Sequence, residues 1–146
     1  MSQVVVGGTF NVFHKGHAKL LDAAMTIASF KNAALVIGVT SDELAQSSRS
    51  VPVRPYRARL DDLARYVERS DIRPEFGPVM YSTIYDVSDL PVMDERDTLV
   101  VSEETEGRAR SLLAKKGYIC KVRTVPMVMD SNGEEMHSTK ILEEEK

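Results

Sequence analysis

Residues 7–17 read Gly7-Gly8-Thr9-Phe10-Asn11-Val12-Phe13-His14-Lys15-Gly16-His17, and two of the three histidines in the chain stand here, three residues apart. Glycine at 7 and 8 lets an anion come close to the backbone. A helix that begins just after this segment points N–H groups and a partial positive charge at whatever binds there. His14 and His17 add imidazole donors on the same side. The combination suits a polyphosphate whose phosphorus must gather negative charge in a transition state. Two other readings use the same residues. A histidine at a helix start can serve as a cap or as a hydrogen-bonded core residue. A His-x-Gly-His pair could also hold zinc, but zinc needs a third protein ligand and His137 is the only other histidine.

Such a segment works only if flanking elements hold it. Residues 3–8 (QVVVGG) read as a buried strand ending in glycines. From Gly16 to Phe30, Leu20, Leu21, Ala24, Ile27 and Ala28 share one helical face. Residues 33–40 (AALVIGVT) form a second buried strand. Both strands are continuous apolar runs, the pattern of parallel strands covered by helices on both faces. Leu60, Leu63, Ala64 and Val67 mark a further helix opened by Pro55. Strands are predicted at 75–80, 97–101 and 118–125, and a helix over 104–116 stopped by Gly117. A short last helix is predicted from Ser138 onward. The alternation predicts an α/β fold: one Rossmann-like open parallel sheet of about five strands with helices on both faces. Ligands bind such sheets beyond the carboxyl ends of the strands, where the strand order reverses.

With 146 residues, 42% of them hydrophobic, the chain suits one domain over residues 1–146 with one core. A net charge of −3 lacks the basic surplus of proteins that grip nucleic acid non-specifically. Cys120 is the only cysteine, which excludes an intrachain disulfide and a Cys-rich metal site. The first residues do not have the pattern of a signal peptide, and no apolar run reaches the ~18 residues of a membrane span. The expectation is a cytoplasmic protein acting on small molecules, with neither nucleic acid nor membrane as a partner.

The segment GGTFNVFHKGH resembles the signature of the HxGH nucleotidyltransferase superfamily. A second resemblance lies in His137-Ser138-Thr139-Lys140-Ile141, similar to the ISSTxI motif of that superfamily. Val100-Val101-Ser102-Glu103-Glu104-Thr105 is similar to the archaeal type of phosphopantetheine adenylyltransferase, and 38–43 (GVTSDE) and Pro55-Tyr56-x-x-Arg59 fit the same subgroup. Three features depart from it. Asn11 stands where the family usually has Asp, STKIL replaces STRIR, and the subgroup's D-P-Y-G-like stretch is not evident in 81–86.

The resemblance implies transfer of AMP from ATP to 4′-phosphopantetheine in coenzyme A biosynthesis, with pyrophosphate released and no covalent enzyme intermediate. A CTP-dependent cytidylyltransferase acting on glycerol phosphate, and a nucleotide-binding module without catalysis, stand as alternatives. The resemblance also assigns roles. Thr9, His14 and His17 would carry the catalysis, with His17 facing the developing charge. Gly8, Phe10, Ser102, Glu103, Ser138, Thr139 and Lys140 would hold the nucleotide. Thr9 and an arginine among Arg49, Arg54 and Arg57, with Arg59 at the helix start, would hold the acceptor phosphate. Mg2+ would arrive with the nucleotide phosphates, because no carboxylate cluster suggests a dedicated cage. A pantetheine arm would need an apolar groove, with Tyr56, Val79, Met80, Tyr81 and Ile84 as candidate walls.

Overall fold

In the computed structural model, which describes residues 2–47, 49–75 and 77–126, the first apolar run is strand β1 (Gln3–Gly8). Helix α1 (Lys15–Lys31), β2 (Ala34–Thr40), a short α2 (Asp42–Gln46) and α3 (Tyr56–Arg69) follow. Then come β3 (Val79–Ile84), β4 (Thr98–Ser102), α4 (Glu106–Lys116) and β5 (Lys121–Val125). The helix predicted from Ser138 lies outside the described residues. No helix among the described residues is long and apolar enough to cross a membrane.

The five strands form one parallel sheet in the order β3-β2-β1-β4-β5. The order reverses between β1 and β4, so the loop after β1 opens where the crossovers diverge. The three central strands are buried on both faces, and the two edge strands largely alternate partly buried and exposed residues. That difference accounts for the one displaced strand. β3 occupies 79–84 rather than 75–80, because Pro74, Gly77 and Pro78 interrupt the earlier stretch and the half-exposed edge carries no continuous apolar run. The sequence reading also missed α2, whose five residues are held by the Ser41 hydroxyl accepting the Leu44 N–H at 3.2 Å.

Alternate strand residues feed opposite faces. On one face Val4, Val6, Leu35, Ile37 and Val39 pack against Leu21, Ala24, Met25 and Ala28 of α1 and Leu63 and Val67 of α3. Each fully buried Val, Leu, Ile or Met among them stabilises the fold by roughly 1.5–3 kcal/mol. On the other face Val5, Val36, Leu99 and Val101 have a thinner cover: Leu113 of α4, and Met93 and Leu90 of the segment between β3 and β4. The left-handed residues Asn32 (φ 52°) and Gly117 (φ 72°) end α1 and α4.

Candidate active site

The loop from Thr9 to His14 turns sharply out of β1 to start α1. Phe10 takes a left-handed conformation (φ 52°) with its ring buried, a backbone cost of about 1–2 kcal/mol for a residue with a Cβ. The surroundings over-determine that conformation. Asn11 is fully buried and its Oδ1 accepts the Arg54 N–H at 2.8 Å. The Arg54 side chain returns a bond to the Asn11 carbonyl at 3.1 Å. Arg59, 0% exposed, donates to the Thr9 carbonyl at 2.9 Å, to the Arg54 carbonyl at 2.8 Å and to Asp42 at 2.9 Å. The Asn11 Nδ2 has no hydrogen-bond partner among the described residues, so Asn here reproduces only one of the two acceptor oxygens of an aspartate.

The two histidines build the start of α1. His14 is the N-cap: its Nδ1 accepts the Gly16 N–H at 2.9 Å, and its own N–H donates to His17 Nδ1 at 3.4 Å. The His14 ring lies over residue 16, where an added Cβ would come within 2.8 Å of it, so any side chain there would displace the ring from its capping position. The imidazoles stack with centroids 3.9 Å apart, and His17 meets the Phe10 ring edge-on at 5.1 Å. Because His14 Nδ1 accepts, its neutral ring carries the hydrogen on Nε2 and offers a donor. Burial, then the neighbouring His14 and Arg49 charges, push His17 down to about 3 against a hydrogen bond with the Val12 backbone. His17 is therefore neutral across the ordinary pH range. Capping and anion binding coexist here, since both use the same helix start.

A cavity of about 1360 Å3 opens at the carboxyl ends of the strands. At one end it is lined by Gly8, Thr9, Phe10, His14, His17 and Arg49. At the other it runs over the thinly covered sheet face between the β3–β4 segment and α4, past Val36, Leu90, Leu99 and Val101. Ser102 also lines it, sharing a hydrogen bond with Thr105 at 3.1 Å.

The fold separates the three candidate arginines. Arg49 lines the cavity, its Nη1 donates to the Ala45 carbonyl at 2.9 Å, and its buried Nε has no partner among the described residues. Burial, and the charge of Arg59, push its guanidinium below the usual arginine range. Arg54 is turned to Asp62 at 2.7 Å, and Arg57 is exposed and paired with Asp61 at 3.3 Å. Neither lines the cavity.

The remaining assignments divide likewise. Ser102 is in the cavity wall, whereas Glu103 is exposed and outside it; Glu104 and Thr105 take its place there. Ser138, Thr139, Lys140 and His137 lie outside the described residues. Of the expected groove walls only Ile84 lines the cavity. Tyr56, Val79 and Tyr81 pack on the opposite face of the sheet, and Met80 is exposed. The alternation of edge strand β3 sends Val79 and Tyr81 to the far face, Tyr56 stands on α3, and Val36, Leu90, Leu99 and Val101 form the groove instead. Two signals could have found that groove: the alternation within β1, β2 and β4, and the small number of apolar residues on α4.

Comparison with known proteins bears on the family and the fold. The cytidylyltransferase-like family profile matches residues 5–144. The chain is 37% identical to a phosphopantetheine adenylyltransferase from Pyrobaculum aerophilum over 94% of its length and 88% of that protein's. It is 33% identical to one from Methanopyrus kandleri, covering 95% and 87%. A crystal structure of a protein of unknown function from Archaeoglobus fulgidus superposes with a TM-score of 0.67 at 28% identity, over 94% of this chain and 100% of that one. The chain belongs to the cytidylyltransferase-like family. It is a nucleotidyltransferase with the five-stranded parallel sheet expected of it. Among the described residues no group of three or more His, Cys, Asp or Glu could cage a metal ion. The donors around the phosphate end of this nucleotidyltransferase's cavity are imidazole, hydroxyl and guanidinium groups, which match the oxygens of anions.

Proposed function

We propose that the chain transfers AMP from ATP to 4′-phosphopantetheine, giving dephospho-coenzyme A and pyrophosphate. One observation carries the choice of acceptor: the cavity joins a cationic end at Arg49 and His14 to a long apolar floor on the sheet. Single-ligand pockets commonly occupy roughly 300–1,000 Å3, and this one is larger, with space for a nucleotide and an extended acceptor together. A pantetheine arm has a phosphate at one end and a long, partly apolar body, which fits that order. Glycerol phosphate would leave the floor at Val36, Leu99 and Val101 bare. The names of the archaeal relatives point the same way.

In this reading a phosphate oxygen of the acceptor attacks the α-phosphorus of ATP. The bond from that phosphorus to the oxygen bridging the β-phosphate breaks, and pyrophosphate leaves with the electron pair. Arg49 holds the acceptor phosphate, and the anion supplies the partner that its Nε lacks among the described residues. The Thr9 hydroxyl lies between acceptor and α-phosphate. His14 donates from Nε2 to the nucleotide phosphates. His17, neutral and buried, exchanges its bond to the Val12 backbone for one to the α-phosphate as charge builds there. All of this is positioning plus charge stabilisation in a partly dry site. Mg2+ held by the triphosphate oxygens would supply charge neutralisation for the pyrophosphate, and Ser138, Thr139 and Lys140 would bind the nucleotide as the motif resemblance implies. A cytoplasmic location is part of the proposal, because ATP is an intracellular nucleotide.

The test is a pyrophosphate-release comparison of two pairs, ATP with 4′-phosphopantetheine and CTP with glycerol phosphate. A higher kcat/KM for the first pair is expected. Preference for the second would make the chain a cytidylyltransferase. Nucleotide binding without pyrophosphate release from any pair would make it a binding module.

A further inference from the structure

Thr9 is central to the proposed reaction, yet a threonine hydroxyl is a rotor that can donate or accept. To help an anion it must donate. The structure shows what fixes that choice. Arg59 is fully buried, and one of its terminal nitrogens, Nη1, reaches both the Thr9 carbonyl at 2.9 Å and the Thr40 hydroxyl at 3.3 Å. The Thr40 hydroxyl in turn donates to the Thr9 hydroxyl at 2.9 Å.

A guanidinium has donors only. Thr40 Oγ1 therefore accepts from Arg59, and the geometry of the Thr40–Thr9 contact has its single hydrogen donated to Thr9 Oγ1. Having accepted that bond, Thr9 keeps its own hydrogen for another partner, and both threonines line the cavity. We infer that Thr40 is a positioning residue for nucleotidyl transfer: the series Arg59, Thr40, Thr9 sets the polarity of the Thr9 hydroxyl so that its hydrogen faces the incoming phosphate. Arg59 is held in place by Asp42 and the Arg54 carbonyl, so the direction is set before any ligand arrives. Preorganised donors of this kind need no rotation at the moment of reaction. Thr40 stands at the last position of β2, thirty-one residues from Thr9.

The inference rests on the proposed role of Thr9, and its test separates the two. Thr40→Val removes the hydroxyl and keeps the shape. Thr40→Ser keeps the hydroxyl. Each is made alone and combined with Thr9→Val. With ATP and 4′-phosphopantetheine, Thr40→Val is expected to lower kcat/KM about ten-fold, equivalent to about 1.4 kcal/mol. Thr40→Ser should stay within about two-fold of the parent, a difference of less than ~0.5 kcal/mol. Thr40→Val added to Thr9→Val should cost nothing further, because the relay has lost its last member. A Thr40→Val enzyme with parental kinetics, a Thr40→Ser enzyme as impaired as Thr40→Val, or fully additive losses would each overturn the relay. A purely structural role would lower the Tm of Thr40→Val equally in both backgrounds and leave the kinetic difference additive. Binding of inorganic phosphate to the same variants, followed by calorimetry, tests the relay without any assumption about the acceptor. Weaker binding in Thr40→Val, restored in Thr40→Ser, supports it. Absence of phosphate binding by the parent protein would overturn it. If the parent binds phosphate but releases no pyrophosphate with this pair, the assignment of the reaction fails and the relay stands.

Discussion

The two ends of the cavity are built in opposite ways. The phosphate end is tied down from every side: Arg59 and Arg54 hold the backbone of residues 9–11, and the histidines cap α1 and stack on each other. Tyr66 adds a brace behind Phe13, donating to Asp22 at 2.5 Å. The groove end is loosely made. Its floor is four sheet residues, its lip at 85–92 carries the exposed side chains Tyr85, Val87 and Val92, and its far wall is one face of α4. On the proposed reaction, the difference follows from the chemistry each end would serve. Transition-state charge is stabilised only by dipoles that are fixed beforehand. An apolar arm needs area and fit rather than fixed dipoles.

The sharpest way to break this comparison is at His17. His17→Ala is expected to lower kcat by on the order of 10²–10³ while nucleotide affinity changes little, because the donor acts on charge that exists only in the transition state. Steady-state kinetics with a separate nucleotide-binding measurement checks this; turnover near the parental value would place His17 in the helix cap alone.

Acid should weaken the phosphate end. The His17 ring has its folded value lowered from 6.5 to about 3, so between those values the unfolded chain binds a proton that the folded chain does not. Stability from this group is fully present above pH 6.5 and declines as pH falls toward 3, with a slope approaching about 1.4 kcal/mol per pH unit. Urea titrations across that window should show the slope, and His17→Asn should flatten it by about one proton.

Arg49→Ala is expected to raise KM for the phosphorylated acceptor by about ten- to a hundred-fold, the loss of a charge-assisted hydrogen bond worth ~1.5–3 kcal/mol. Arg57→Ala, which breaks only an exposed i,i+4 pair, should leave kinetics unchanged and shift stability by less than ~0.5 kcal/mol. Equal effects of the two variants would dissolve the distinction drawn from their positions.

The mildest change is expected at the groove. Leu90→Ala removes part of the apolar wall and should raise KM for 4′-phosphopantetheine up to about ten-fold, leaving KM for ATP and the Thr9–His17 loop untouched. An equal rise in both KM values would show that the two ends are not separable.

The sequence by itself determined the fold class and the strand-to-helix turn on which the candidate site is built. Central parallel strands buried on both faces must be continuous apolar runs, and β1, β2 and β4 announce themselves that way. Glycines, a strand end and a His-x-Gly-His helix start are local features, so the phosphate end was legible as a stretch of residues. The capping role of His14 was also legible, for the same reason. Everything that depends on which residues meet across the sheet was not. Arg57 meets Asp61 by i,i+4 spacing on the exposed face of α3, but only the tertiary fold turns Arg54 to Asp62 and leaves Arg49 lining the cavity. The expected groove walls at 79–84 failed because an edge strand's alternation sends Val79 and Tyr81 to the far face, and the true floor comes from three central strands joined side by side. The Arg59–Thr40–Thr9 series joins residues up to fifty positions apart. Its direction depends on distances of about 3 Å between side chains, and those are set only when the sheet brings β1, β2 and α3 together.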